Sequence, residues 1–140
     1  MLDFSSLNKA INSLTESIEV TENFLIKGGV QNSPQYRTFR SGVIQNFEFT
    51  YELAWKAIRT WIAENQGKSL VDGITRKELF RLAAENKLIE NVKPWFEFHY
   101  FRNLTSHTYE EQTAIEVFQC ITLFSSLVKQ LASVLDSKND

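Results

Sequence analysis

Apolar residues recur in alternating steps of four and three along the first part of the chain: Phe4, Leu7, Ile11, Leu14, Ile18 and Leu25, with Thr21 as a polar interruption. That spacing is a heptad seam and predicts a long amphipathic helix. Gly28-Gly29 should end it, because glycine tolerates the left-handed C-cap conformation. Ser33-Pro34 then reads as an N-cap followed by proline at the first helical position. A second long helix is expected from Pro34 to Gln66, with Ile44, Phe47, Tyr51, Ala54, Ile58, Trp61 and Ile62 on its apolar face. Gly42 inside it costs about 1 kcal/mol of helix stability relative to Ala and suggests the close approach of another backbone. Gly67 stops the helix.

Thr75 with Glu78 three residues on is a capping-box signature, and a short helix burying Leu79, Leu82 and Ala83 follows. A fourth helix covers Val92 to Leu104, with Pro94 tolerated in its first turn. Thr108 with Glu111 makes a second capping box, so a fifth helix should begin at Tyr109 and run to about Leu135. Its stripe is Ala114, Phe118, Ile121, Phe124, Val128, Leu131 and Leu135, and the tail "DSKND" should be polar and frayed. No segment sustains the alternation of a strand, and no repeat is present. Three long and two shorter amphipathic helices with short connections predict an all-α fold: one four-helix-bundle-like antiparallel domain over residues 1–140.

Composition narrows the functions. The 15 Lys and Arg against 17 Asp and Glu give a net charge of −2. That argues against a broad basic face for duplex DNA, which needs clustered cations, while leaving room for a local basic pocket. One cysteine, Cys120, suits a reducing compartment and reads as a small buried hydrophobe. The start of the chain lacks the apolar core of a secretory signal, and no run approaches 18 uninterrupted apolar residues. The expected setting is cytoplasmic, without a membrane. Three Trp, four Tyr and eleven Phe are many for one small bundle, which makes a homodimer burying some of them plausible.

The chemistry concentrates in "RNLTSHTYEE", from Arg102 to Glu111. On a continuous helix Arg102 and His107 would diverge by about 140°. The expected break before the fifth helix allows Arg102, His107 and Tyr109 to meet beside the positive end of that helix, where a phosphate is favoured. Arg102 can bind a phosphate bidentately, His107 can move protons near neutral pH, and Tyr109 can donate, stack or act as a nucleophile. A polar turn between packed helices has the same spacing, so both readings stand. His99 shares a helix face with Arg102 and reads as a packing residue or a support of the site. Glu48, Glu52 and Lys56 fit exposed i,i+4 pairing, and Arg37 and Arg40 fit a solvated face. Trp55, Phe47 and Tyr51 read as core. No metal-ligand pattern and no cofactor motif is present. The four aspartates, Asp3, Asp72, Asp136 and Asp140, include no Asp-x-Asp pair, so the chain is not itself a nucleotidyltransferase.

"RNLTSHTY" resembles the Arg, polar residue, three residues, His, one residue, Tyr signature of the HEPN superfamily. "RSGVIQNFEFTYELAWKAIRTW" (Arg40 to Trp61) resembles the nucleotidyltransferase substrate-binding proteins, a HEPN branch, and the likeness extends over essentially the whole chain. The resemblance implies a HEPN-type helical bundle that forms a homodimer and a complex with a minimal nucleotidyltransferase, as in toxin–antitoxin pairs. It implies a composite, metal-independent ribonuclease site for single-stranded RNA in which Arg102 and His107 are catalytic and Asn103 is the polar residue beside the phosphate-binding Arg. It also implies that Tyr109 accepts AMP from the partner, which silences the nuclease. The alternative reading of this branch is a non-catalytic subunit that binds substrate or nucleotide for the partner.

Overall fold

The structure is a computed structural model that describes residues 1–139. Among these residues there are five α-helices: α1 (Ser5–Ile26), α2 (Pro34–Gln66), α3 (Arg76–Glu85), α4 (Val92–Leu104) and α5 (Glu111–Ser137). Short 3₁₀ turns occupy Lys68–Leu70 and Thr105–His107. The bounds of α2 and α4 are those the sequence predicts, because each has a local stop and start. Ser33 accepts from the Tyr36 amide at 3.2 Å, with Pro34 at N1. Asn91 accepts from the Lys93 amide at 3.2 Å and so opens α4.

The end of α1 is a Schellman motif: the Gly28 amide bonds Leu25 O and the Gly29 amide bonds Phe24 O. Gly28 has φ 91°, and a Cβ at Gly29 would run into the Phe24 ring and carbonyl, so both glycines are needed. Gly42 is different. A Cβ there meets nothing within 4 Å, so the expected close backbone approach does not occur.

The buried stripes interlock around an aromatic centre. Phe124 of α5 meets Phe47 of α2 and Phe98 of α4 edge-on, at centroid distances of 4.9 and 5.0 Å. Trp95 and Phe80 extend this cluster toward α3. Edge-to-face packing suits the ring quadrupoles and adds to the burial of large apolar area. The α2 stripe is buried throughout, as expected from its spacing. On α5 the stripe is shifted at one point: Val117 is fully buried and Phe118 only partly. On α3 Phe80 is fully buried, whereas Leu82 is half-buried.

Long-range pairs set the directions. Asn46 bonds Ser13 O and Thr50 bonds Ala10 O, so α1 and α2 run antiparallel. Arg40–Glu111 and Phe47–Phe124 advance together, so α2 and α5 run parallel, and α4, antiparallel to α2, is the return between them. By length and composition α5 could cross a membrane, but its apolar face packs against α1, α2 and α4.

Two expectations at the chain's end need correction. Helix α5 continues to Ser137, and Asn139 is pinned rather than frayed. Its side chain accepts from the Leu2 amide at 2.9 Å and donates to Leu2 O at 2.8 Å, tying the two ends together. Asp140 lies outside the described residues.

Candidate functional site

The start of α5 departs from its sequence reading. Tyr109 does not lie in the first helical turn, because α5 begins at Glu111 with Glu110 as its N-cap. Thr108 caps nothing: its hydroxyl donates to Thr105 O at 3.1 Å inside the 3₁₀ turn. The competing interaction is tertiary. Both carboxylate oxygens of Glu111 accept from Arg40, each at 2.9 Å, in a bidentate fork. Arg40 is 5% exposed, so it is a buried charge and not part of a solvated face. The Arg40 hydrogen bonds hold the Glu111 carboxyl below the usual carboxylate range. The first turn of α5 therefore already holds a carboxylate, Glu111, fixed by Arg40, which disfavours the phosphate expected there.

Arg102, in the last turn of α4, faces α2. Its Nε donates to Glu52 Oε1 at 3.2 Å and its Nη1 to Thr105 Oγ1 at 3.0 Å, with Glu48 Oε2 3.9 Å away. Thr105, itself buried, donates back to Arg102 O at 2.7 Å. Nη2 takes part in none of these contacts. Glu52 also accepts from Trp55 Nε1 at 3.0 Å, which fixes its carboxylate. Glu48 and Glu52 thus face Arg102 and, among the described residues, form no ion pair with Lys56. The signal was available: an acidic pair one turn apart on the face that carries Tyr51 and Trp55 belongs to the edge of a core.

His107 ends the 3₁₀ turn and is exposed, and its ring lies 6.2 Å from that of Tyr109 in an edge-on arrangement. Tyr109 is 79% exposed. Asn103 is exposed beside Arg102. The break after α4 therefore brings His107 and Tyr109 together, while Arg102 is held through Thr105 and Glu52. Among the described residues no hydrogen bond joins Arg102 to His107. Nor does any group of three His, Cys, Asp or Glu side chains among them stand ready to hold a metal ion.

A second layer lies behind Arg102. Tyr51 Oη and His99 Nδ1 are 2.8 Å apart, and the Arg76 guanidinium stacks on Trp55 at 3.3 Å from the ring centroid. Burial raises the Tyr51 phenol well above its usual range, so it keeps its proton. Burial, followed by the nearby Arg76 charge, lowers the His99 imidazole below its ordinary 6.5. Cys120 is partly buried, and desolvation pushes its thiol up to about 12, which makes it an inert packing group.

A helical bundle that carries an Arg/His/Tyr turn at the junction of α4 and α5 is a HEPN-type domain. Residues 2–137 match the family described as nucleotidyltransferase substrate binding protein like, and the chain belongs to that family. It is 32% identical over 99 residues to a protein named probable ribonuclease HepT from Haemophilus influenzae, covering 67% of this chain and 68% of that one. The fold is similar to that of HI0074 from Haemophilus influenzae, described as a substrate binding domain of a nucleotidyltransferase. That similarity has a TM-score of 0.87 at 27% identity and covers 96% of this chain and 99% of the other. A protein from Thermus thermophilus is similar at a TM-score of 0.72 and 29% identity, over 92% of this chain and 98% of that one.

Proposed function

We propose that this protein is the helical subunit of a two-component system with a minimal nucleotidyltransferase, and that it cleaves single-stranded RNA at the Arg102/His107 turn. The observation that carries the reading is the pairing of a fixed arginine with an accessible histidine. Arg102 is braced by Glu52 and Thr105 through its Nε and Nη1, and His107 stands exposed one short turn away. The name of the Haemophilus relative, a probable ribonuclease, supports it.

The chemistry follows from the side chains. A neutral His107 takes the proton of a ribose 2′-OH, the 2′-oxygen attacks phosphorus, and the bond to the 5′-oxygen breaks. The products are a 2′,3′-cyclic phosphate and a 5′-hydroxyl, whose proton comes from a protonated His107. Arg102 stabilises the charge that develops on the non-bridging oxygens. One histidine cannot be base and acid in the same instant, so a homodimer that brings two copies of the turn together suits this reaction. AMP transfer to Tyr109 by the partner joins the phenol oxygen to the α-phosphorus of ATP and releases pyrophosphate. The added anion beside His107 blocks the turn. The proposed setting is the cytoplasm.

Purified protein incubated with single-stranded RNA in the presence of a chelator should cut it, and His107→Ala should not. Cutting that persists in His107→Ala removes the assigned mechanism. Intact mass after incubation with the partner and ATP should show one AMP increment, absent in Tyr109→Phe. The description of HI0074 as a substrate binding domain favours a second reading, in which the turn holds a nucleotide for the partner without cleavage. Nucleotide affinity lost in Arg102→Ala, with RNA left intact by the wild type, would establish that reading instead.

A further inference from the structure

Next to the Arg102 turn, along the outer face of α4, runs an open groove of ≈ 670 Å³. Lys77 of α3 and Lys93, Phe96, His99, Tyr100 and Asn103 of α4 line it. Its size falls in the range of small-molecule sites. Its lining is chemically mixed: two lysines, three aromatic rings, an amide and one imidazole, with Glu97 as the single carboxylate and the Lys77 ammonium 5.6 Å from the Phe96 ring centroid.

The imidazole is oriented from behind. Tyr51 is 1% exposed and its hydroxyl lies 2.8 Å from His99 Nδ1. A protonated Tyr51 can donate to Nδ1, and in that arrangement the imidazole proton sits on Nε2. Nδ1 is thereby used inside the core, and the donor left to His99 is Nε2–H. Tyr100 is 59% exposed, although Phe101 meets it edge-on, and its ring is among the groups that line the groove. Asn103 contributes both a donor and an acceptor. His99 stands three residues before Arg102 on the same side of α4, so the groove adjoins the face of the helix that carries the guanidinium.

We propose that this groove is a nucleobase subsite: a base stacks on Tyr100 and accepts from His99 Nε2–H, while Lys77 and Lys93 neutralise flanking phosphate. Tyr51 is a positioning residue that fixes the His99 tautomer. The inference rests on the reading of the Arg102 turn as a phosphate site, and it holds for a base in an RNA strand or in a free nucleotide. A planar ring, an edge with acceptors and an adjacent phosphate are what this set of side chains complements.

The test uses the full chain with His107→Ala, so that RNA is bound and not cut. Single-stranded oligoribonucleotides are compared with strands in which an abasic ribose replaces one nucleotide at a time. AMP and ATP form a separate arm. Tyr100→Ala should weaken binding of the intact strand on the order of tenfold. One abasic position should lose the same factor on the parent and nothing further on Tyr100→Ala. His99→Ala should weaken binding, His99→Gln, which keeps a donor near Nε2, should restore most of it, and Tyr51→Phe should lie between. A 4-thiouridine at the sensitive position should crosslink to Tyr100 or Phe96.

The same pattern with AMP or ATP and not with the strand assigns the subsite to a free nucleotide. Equal affinities for parent, Tyr100→Ala and His99→Ala overturn the proposal, as does an abasic penalty that persists in full on Tyr100→Ala. Absence of binding by both strand and nucleotide also overturns it. Failure of the nuclease reading is separately visible, as intact RNA in the presence of wild-type protein.

Discussion

Arg102 Nε donates to Glu52 across 3.2 Å, joining α4 to α2 over 50 positions of sequence. Glu52 is in turn held by Trp55 Nε1, so the guanidinium is aimed by a chain of contacts that starts in the core. Arg102 is partly exposed, and a pair of this kind contributes little to stability, on the order of 0–1 kcal/mol. Its consequence lies in orientation. Glu52→Gln should leave the urea midpoint within that margin and lower the rate of RNA cleavage about tenfold or more through misplacement of Arg102. An unchanged rate would show that Glu52 is not needed to aim the guanidinium.

The two Thr-x-x-Glu sequences make opposite predictions. Thr75 Oγ1 accepts from the Glu78 amide at 3.2 Å, so Thr75→Ala should destabilise by about 1 kcal/mol. Thr108 bonds only Thr105 O within its own turn, so Thr108→Ala should fall within about 0.5 kcal/mol of wild type. Equal losses in urea unfolding would mean that Thr108 does cap α5.

Gly42 occupies the interior of α2 with nothing near its missing side chain. Gly42→Ala should therefore stabilise by about 0.5–1 kcal/mol, through a less flexible unfolded chain and better helix propensity. A loss of stability would reveal a contact at this position.

His99 supplies a pH dependence. Its folded pKa lies below the ordinary 6.5, so the unfolded chain takes up a proton that the folded chain resists. The sign follows: the contribution is fully present above 6.5 and is lost as the pH falls below that value. Between about pH 7.5 and about pH 5.5, wild-type stability should decline more steeply than that of His99→Gln. Parallel curves for the two proteins would remove His99 as the source.

The bundle was legible because its determinants are local. The steps of three and four in α2, the Ser33-Pro34 start, the Asn91 cap and the Gly28-Gly29 stop act within a turn of where they stand. The same local rules failed at the start of α5. There Arg40, far away in sequence, forks onto Glu111, and the helix begins two residues later than the Thr108 signature implies. Glu48 and Glu52 were misread for a related reason. Spacing shows which residues share a helix face, but not what packs against that face.

The sequence by itself determined the helices, most of their buried stripes and the family signature of Arg102, His107 and Tyr109, because periodicity, caps and motif spacing are properties of neighbouring residues. Tertiary structure alone decided that α2 and α5 run parallel, that Arg40 is a buried charge, that Glu52 accepts from Arg102, and that Tyr51 meets His99 at 2.8 Å. These relations join residues some 50 or more positions apart, or 48 in the case of Tyr51 and His99, and only the packing of one helix on another brings such groups within hydrogen-bond reach.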